Sequence, residues 1–399
     1  MSYEIAATGL NAVNEQLDGI SNNIANAGTV GYKSTTTQFS SMYAGSQAMG
    51  VSVAGTAQSI SRGGSMVSTG NALDLAINDD GFFVMRDAAG NVSYTRAGSF
   101  TTDKNGYIVN PSGDYLQGYP ANADGTLQTG TVTDLQIKTG NIPAEATDSM
   151  TFSANLDASS DAIDTAAVPF DPTNASSYTS TYTTSVYDSL GNEHSVSQYF
   201  VKTDSNTWEV HYSFDGQEQT GTTTTLTFDP NTGQLTSPTG PISLTFPCDD
   251  AAPITMTLDY SSCTQYGSEF SVATNTANGY ASAQQNGVQI DDNGDVYATY
   301  SNGERMLQGQ VVLATFPNED GLEAVSGTSW VETGESGTPI IGAPGTGSLG
   351  SLSSGVLESS NVDITSELVE LMTAQRNYQA NTKVISASTE LDQALFQAM

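Results

Sequence analysis

Basic residues are scarce: ten Lys and Arg stand against 43 Asp and Glu in 399 residues, a formal net charge of −33. Ten cations spread along a chain cannot build the basic face that nucleic acid binding needs. Docking on anionic membrane surfaces is excluded for the same reason. Long hydrophobic runs are missing too. No stretch of about 18 apolar residues exists, so no transmembrane helix and no membrane insertion are expected. The N-terminus, "MSYEIAATGLNAVNEQLDG", has neither the basic n-region nor the apolar h-region of a cleavable secretory signal. The chain is expected to stay in the cytosol or to leave by a route that needs no such signal.

Cysteine and histidine are nearly absent. Cys248 and Cys263 make no disulfide framework, and one bridge or two free thiols both remain open. His194 and His211 are the only histidines. With no C-x-x-C spacing nearby they do not describe a zinc site, and no Ser-His-Asp or Cys-His arrangement has local support. A glycosidase needs only two carboxylates, but in so acidic a chain their abundance carries no signal. No enzymatic activity, metal or cofactor is expected.

What is present falls into three patterns. The first is helical. Ala6, Leu10, Val13, Leu17, Ile20 and Ile24 recur at spacings of four and three, a seam of coiled-coil type. The other faces are polar, and a helix with one thin apolar stripe is marginal alone in water. The C-terminal segment repeats the pattern. Asn361, Asp363 or Thr365-Ser366 offer N-caps. Ile364, Leu368, Leu371 and Tyr378 keep a seven-residue period, with Gln375 between; Ile385, Leu391 and Leu395 continue a drifting stripe. No Gly or Pro interrupts residues 361–399. The matching seams predict that the two ends pair. With no covering domain for either, they also predict self-assembly, because such segments stay mobile until a partner supplies the other half.

The second pattern is β. From residue 71 strands alternate with tight turns at Ala89-Gly90-Asn91, Asn105-Gly106 and Ser112-Gly113, and after residue 285 at Asn293-Gly294 and Asn302-Gly303. Between them, residues 146–284 hold sixteen acids and one base, Lys202, and read as a β-sandwich or barrel. The predicted organisation is a terminal helical assembly domain (1–34 and 358–399), an extended connector (35–70) with one short strand at 51–55, a discontinuous β-domain (71–145 and 285–357) and an inserted acidic outer β-domain (146–284). The fold class is mainly β with paired, coiled-coil-like terminal helices. "DDNGD" at 291–295 has the flavour of a calcium loop but lacks the twelve-residue spread of oxygens, and reads as a hairpin turn. "GAPGTGSLGSLSSG" at 342–355 lacks the Lys of a phosphate cradle and reads as a flexible connector.

The third pattern is the tract "SNNIANAGTVGYKS", residues 21–34, at the end of the first helix. Asn22, Asn23 and Asn26 can bond backbone groups and end a helix. Ala25, Ala27, Gly28 and Gly31 would let neighbouring chains approach closely, and Tyr32 and Lys33 would anchor the exit into the connector.

These residues carry a resemblance. "LDGISNNIANAGTVGYKS" resembles the N-terminal signature of the bacterial flagellar rod and hook family. "LDLAINDDGFFVM", "YTRAGSFTTDKNGYIVN" and "YLQGYP" are similar to its β-domain motif, and "SNVDITSELVELMTAQRNYQANTKVI" to its C-terminal helix signature. The match covers near half of the chain. The length and the insert resemble the hook-forming members rather than the shorter proximal rod members, with a distal rod subunit as the nearest alternative and a β-rich extracellular adhesin behind it. The resemblance implies a structural subunit that polymerises into a short curved tube outside the cell and transmits torque as a universal joint. Implied partners are further copies of itself, a hook cap scaffold, the distal rod protein, the hook–filament junction protein and the flagellar type III export apparatus. Export by that apparatus implies an extracellular place in the flagellar hook and basal body without a cleavable signal peptide.

Overall fold

The computed structural model describes residues 2–44, 47–122 and 125–398. The chain is mostly β with one helix at each end: α1 spans Ser2–Ala25 and α2 spans Ile364–Ala398. It divides into two compact units. Unit one takes the residues up to Thr139, Asn286–Thr299 and everything from Arg305; unit two takes Gly140–Gln285 with Tyr300–Glu304.

Unit one is built on a sheet in which Arg305–Val311, Tyr115–Pro120, Phe82–Arg86, Val92–Thr95, Ser329–Val331 and Glu323–Val325 lie side by side. Consecutive residues of Phe82–Arg86 point to opposite faces, and both faces are covered. Phe83 and Met85 enter one apolar cluster with Leu75, Phe100 and Leu313; Phe82 and Val84 enter another with Tyr94, Phe316 and Trp330. That explains the unbroken apolar run "FFVM", the signature of a strand buried on both sides.

The turns follow one local rule. At Asp87, Asp103, Asn110, Asp188 and Asp291 the side-chain Oδ1 accepts the backbone N–H groups two and four residues on. The short polar side chain thus closes the turn before the strands pair. The glycine three places after the cap takes positive φ, +84° at Gly106 and +81° at Gly294, where a Cβ is disfavoured. "DDNGD" is one of these hairpin turns.

Two expectations for unit one are corrected. The segment 35–70 is not an extended connector with one short strand. Thr35–Ala44 (β1) and Gln47–Gln58 (β2) pair antiparallel along their whole length, and Met66–Ser68 pairs with Val356–Glu358. Most β1 side chains are exposed, so the hairpin never writes the apolar alternation that marks a half-buried strand. The stretch 342–355 is not a flexible connector either. Ile340–Gly342 pairs with Leu313–Thr315, Leu352–Ser354 pairs with Leu75–Ile77, and Leu349 and Leu352 are buried. Two leucines among the glycines give it apolar surface to bury.

Unit two is a sandwich of two five-stranded sheets. One holds Ile242–Phe246, Ile254–Asp259, Ser149–Asp157 and Thr264–Tyr266, with Ser271–Ala277 on Ser149–Asp157. The other is a meander from Ser180–Tyr187 to Leu235–Ser237. Strict alternation of buried and exposed residues in Ser149–Asp157 and Ile254–Asp259 sends one face of each inward. Phe152, Phe200, Trp208, Tyr212, Phe246 and Tyr260 fill the space between the sheets. Tyr260 Oη donates to Gln198 Oε1 at 2.5 Å and Trp208 Nε1 to Gln265 Oε1 at 2.8 Å, so the polar tips of the buried rings are paired. Cys248 and Cys263 are both free thiols. Burial pushes the Cys263 thiol up to about 11.

Candidate assembly site

The two helices pack on one another, and their core is thin. Val13 and Ile20 of α1 enclose Ala374 of α2, with Leu17, Ile24 and Leu371 partly buried around them. Ala6 is buried and Leu10 half-buried. The α1 seam lies on the face turned toward α2.

The α2 seam is covered by the helix pairing only in part. Its covered line runs through Glu367, Leu371, Ala374, Asn381 and Ile385, while Ile364 and Leu368 are 50% and 46% exposed and Leu391 is 71% exposed. Tyr378 lies on the margin at 38%. The side chain of Leu395 lies outside the described residues. The physical reason is that α2 carries two apolar lines. One is small, centred on Ala374, and lets α1 come close. The other, Ile364–Leu368–Met372 at four-residue steps with Val384 and Leu391 further along, is bare. A heptad begun at Ile364 mixes the two.

Side-chain caps fix the start of α2. Asp363 Oδ1 accepts the Thr365 N–H at 2.9 Å and the Ser366 N–H at 3.4 Å, which makes Asp363 the N-cap; the exposed carboxylate is held below its usual range chiefly by those N–H groups. Asn361 has other work. Its Oδ1 accepts the Ser34 N–H at 2.7 Å, and its Nδ2 donates to the Ser59 and Arg62 carbonyls.

Asn361 belongs to a polar clasp that ties both chain ends together. Asn23, 1% exposed, uses its whole amide: Nδ2 donates to the Thr35 carbonyl at 2.8 Å and to Glu367 Oε1 at 2.9 Å, and Oδ1 accepts the Thr35 N–H and the Tyr32 hydroxyl. Lys33 is fully buried and donates to Glu358 Oε1 at 2.7 Å and to the Arg62 carbonyl at 2.8 Å. Arg96 Nη1 stands 3.7 Å from the other Glu358 oxygen. Burial pushes the Lys33 amine down and the Glu358 carboxylate pulls it back up. Gly31 takes φ +69°, and a Cβ there would stand 2.5 Å from the Ala97 backbone nitrogen, so only glycine fits. The close approach at Gly31 is made to its own β-domain and not, as expected, to a neighbouring chain.

The other motif residues have lesser places. Asn22 and Asn26 bond one another, Nδ2 of Asn26 donating to the Asn22 carbonyl and Oδ1. Ala25 is exposed. Glu358, Arg62, Arg96 and Ala374 were not singled out by sequence reasoning. One signal was available for Glu358: in a chain with ten cations, a Lys inside an otherwise uncharged motif needs a carboxylate.

Beside the helix pair lies an open groove of about 520 Å³ lined by Ile5, Ala12, Val13, Phe39, Val51 and Ala380 among others. Among the described residues no group of three or more His, Cys, Asp or Glu is placed to hold a metal ion, and no helix is long and apolar enough to cross a membrane.

Four family models match this chain in order. Residues 4–33 match the flagella basal body rod protein, 76–155 the flagellar hook protein FlgE/F/G D1 domain, 155–280 the flagellar basal body protein FlaE D2 domain, and 353–398 the flagellar basal body rod FlgEFG protein C-terminal region. The chain is 40% identical over 398 residues to the flagellar hook protein FlgE of Escherichia coli (strain K12), covering 98% of each chain. It is 34% identical to that of Brucella abortus biovar 1, covering 96% and 95%, and 32% identical to that of Borreliella burgdorferi, covering 97% of each. The crystal structure of Helicobacter pylori flagellar hook protein FlgE2 shares the fold, with TM-score 0.55 at 15% identity over 72% of this chain and 98% of that one.

Proposed function

The chain belongs to the flagellar hook protein FlgE family, and from that premise we propose how it builds the hook. It is a structural subunit of the flagellar hook, which it forms by polymerising. In our reading the terminal helices, residues 1–34 and 358–399, are the assembly domain. The discontinuous β-domain, 71–145 and 285–357, carries the insert at 146–284 as an outer domain, with 35–70 as the hairpin-bearing link.

The observation that carries this reading is the bare line Ile364–Leu368–Met372 on α2. An apolar ridge that its own chain leaves in water is completed by further copies. Many identical weak contacts of this kind let a tube bend while it carries torque, as a universal joint. The family resemblance supplies the remaining partners: a cap scaffold at the growing end, the distal rod protein below, the junction protein above and the type III export apparatus as the route to an extracellular position without a cleavable signal. We assign the chain no catalytic role.

The test is made in the source bacterium lacking its own copy of this chain. The unaltered chain should restore hooks visible by electron microscopy. The Leu368→Glu, Met372→Glu variant should give none, while its purified form melts like the unaltered chain because both positions are exposed. Normal hooks from the variant would remove the ridge from the assembly mechanism.

A further inference from the structure

Five Asn-Gly pairs stand in the chain: Asn105-Gly106, Asn278-Gly279, Asn286-Gly287, Asn293-Gly294 and Asn302-Gly303. A glycine has no Cβ to shield its backbone nitrogen from the preceding side chain, so each pair can close an imide ring. Their surroundings separate them. Asn278 Oδ1 accepts the Asp148 and Ser149 N–H groups, and its Nδ2 donates to Asp148 Oδ1. Asn302 Oδ1 accepts the Glu304 N–H, and its Nδ2 donates to the Ala281 carbonyl. Asn286 lies within the strand Ala283–Ile290, where its Oδ1 accepts the Thr299 hydroxyl at 2.8 Å. These three amides are held in place.

Asn105 and Asn293 occupy the same place in the same kind of turn. The glycine N–H after each donates to the carbonyl three residues back, of Asp103 or Asp291, at 3.0 Å. What keeps the two turns closed differs. Around Asn293 the Val311 N–H donates to the Gly294 carbonyl, the Leu352 N–H to the Asp292 carbonyl and Gln310 Nε2 to the Asn293 carbonyl. That turn joins strands of eight and six residues. The turn at Asn105 joins two strands of two residues each, Thr101–Thr102 and Ile108–Val109, so fewer bonds break when it opens. The exposed Asn105 amide is held only by a 3.5 Å contact with Asp103 Oδ2. Charge differs as well. Asp291, Asp292 and Asp295 flank Asn293, whereas Lys104 adjoins Asn105. Ring closure begins with loss of the glycine N–H proton, which carboxylates oppose and an ammonium favours.

We propose that Asn105 is a self-modifying site, where the folded chain ages by conversion to isoaspartate and aspartate. When the short hairpin opens, the deprotonated Gly106 nitrogen attacks Asn105 Cγ. The new N–C bond closes a five-membered imide, the Cγ–Nδ2 bond breaks, and the amide nitrogen leaves as ammonia with the proton. Water then opens the imide at one carbonyl or the other, giving isoaspartate or aspartate at position 105. Nothing is oxidised or reduced, and water is the only co-reactant. Isoaspartate lengthens the main chain by one methylene at a place with no slack. A Cβ on Gly106 would collide with the Ile137 carbonyl oxygen, and the Ile137 N–H donates to the Gly106 carbonyl at 2.8 Å. The modified turn therefore loosens residues 135–137, whose Leu135 and Ile137 belong to the core of unit one.

The test keeps the purified full-length chain in mildly alkaline buffer for several weeks, beside a portion in urea. Both are digested and mapped by mass spectrometry, with isoaspartate marked by an isoaspartyl methyltransferase. In urea all five pairs should react. In buffer Asn105 should lead each of the other four by about fivefold or more, as its cheaper opening predicts. Another pair keeping pace with Asn105 in buffer overturns the proposal, and so does an Asn105 that reacts only in urea. An Asn105→Gln chain is aged alongside. Amide hydrogen exchange at residues 135–137 should quicken with age in the unaltered chain and stay constant in the variant. Equal change in both overturns the loosening assigned to the modified turn.

Discussion

The helix pair and the sandwich of unit two are stabilised in different ways. Among the described residues the helix pair buries Val13, Ile20 and Ala374 and leaves Ile364, Leu368, Met372, Val384 and Leu391 in water. The sandwich buries twenty side chains in one cluster, with Phe152 in contact with the rings of Tyr182, Phe200 and Tyr260. A unit that closes its own core is stable as a single copy. A helix pair with one covered and one bare apolar line is half of a structure, and the polymer supplies the other half. Rigidity is thus assigned to the part that must not change, and incompleteness to the part that must find neighbours.

The largest effect should come from breaking the complete core. Phe152→Ala removes a fully buried ring and is expected to lower the stability of unit two by about 3–5 kcal/mol. Ile20→Ala, buried but in a core of only three buried side chains, should cost less, about 2 kcal/mol in the single copy. Denaturant unfolding of the purified chain compares them. Equal losses would mean that the helix pair is already a finished core, and the comparison would fail.

Next comes the clasp. Lys33→Met leaves the Glu358 carboxylate buried without its 2.7 Å partner, a loss of about 3 kcal/mol in unit one. Pairing it with Glu358→Gln removes the under-paired carboxylate but leaves the buried Arg96 without its 3.7 Å partner, so the recovery should be partial. Amide hydrogen exchange around residues 31–35 and 356–361 reads the effect locally. If the double variant is no better than the single, the cost lies in lost packing around the lysine stem rather than in an unpaired charge.

These residues also show how far the sequence could be read. The α1 seam was legible because its other faces are polar and one period fits. The α2 seam was not, because its contact line turns on Ala374, a residue too small to register as an apolar peak, beside a larger bare line. The turns were legible because Asp or Asn followed by Gly acts within five residues. Lys33 was visible as odd, but its partner stands 325 residues away, and no local spacing encodes a pair that only the closed fold brings together. The β1–β2 hairpin was missed because pairing there proceeds with little burial, and burial is what writes a pattern into sequence.

The smallest effect sharpens the picture of unit two as self-sufficient. His194 bridges two turns: Nδ1 meets Asp215 Oδ2 at 2.6 Å and Nε2 meets Asp188 Oδ2 at 3.4 Å. The Asp215 carboxylate raises the imidazole above its usual pKa, against partial burial. A raised basic group adds stability that is complete below the unfolded pKa of about 6.5 and is lost as pH rises through the folded value. Asp188 works at the other limb. It is lowered to about 2 against its burial, chiefly by Asn192, so its contribution is present above about 4 and lost as pH falls toward 2. His211, pushed down by burial, opposes His194, because its folded state sheds a proton that the unfolded chain keeps, and stability gains as pH rises toward 6.5. The difference between the unaltered chain and His194→Gln cancels that opposing slope. It should amount to less than about 1 kcal/mol, as for a partly exposed ion pair. It should be largest near pH 5 and shrink above pH 7. A difference that does not change between pH 5 and pH 8.5 would mean that the imidazole holds the turns by shape and hydrogen bonding, with its charge contributing nothing.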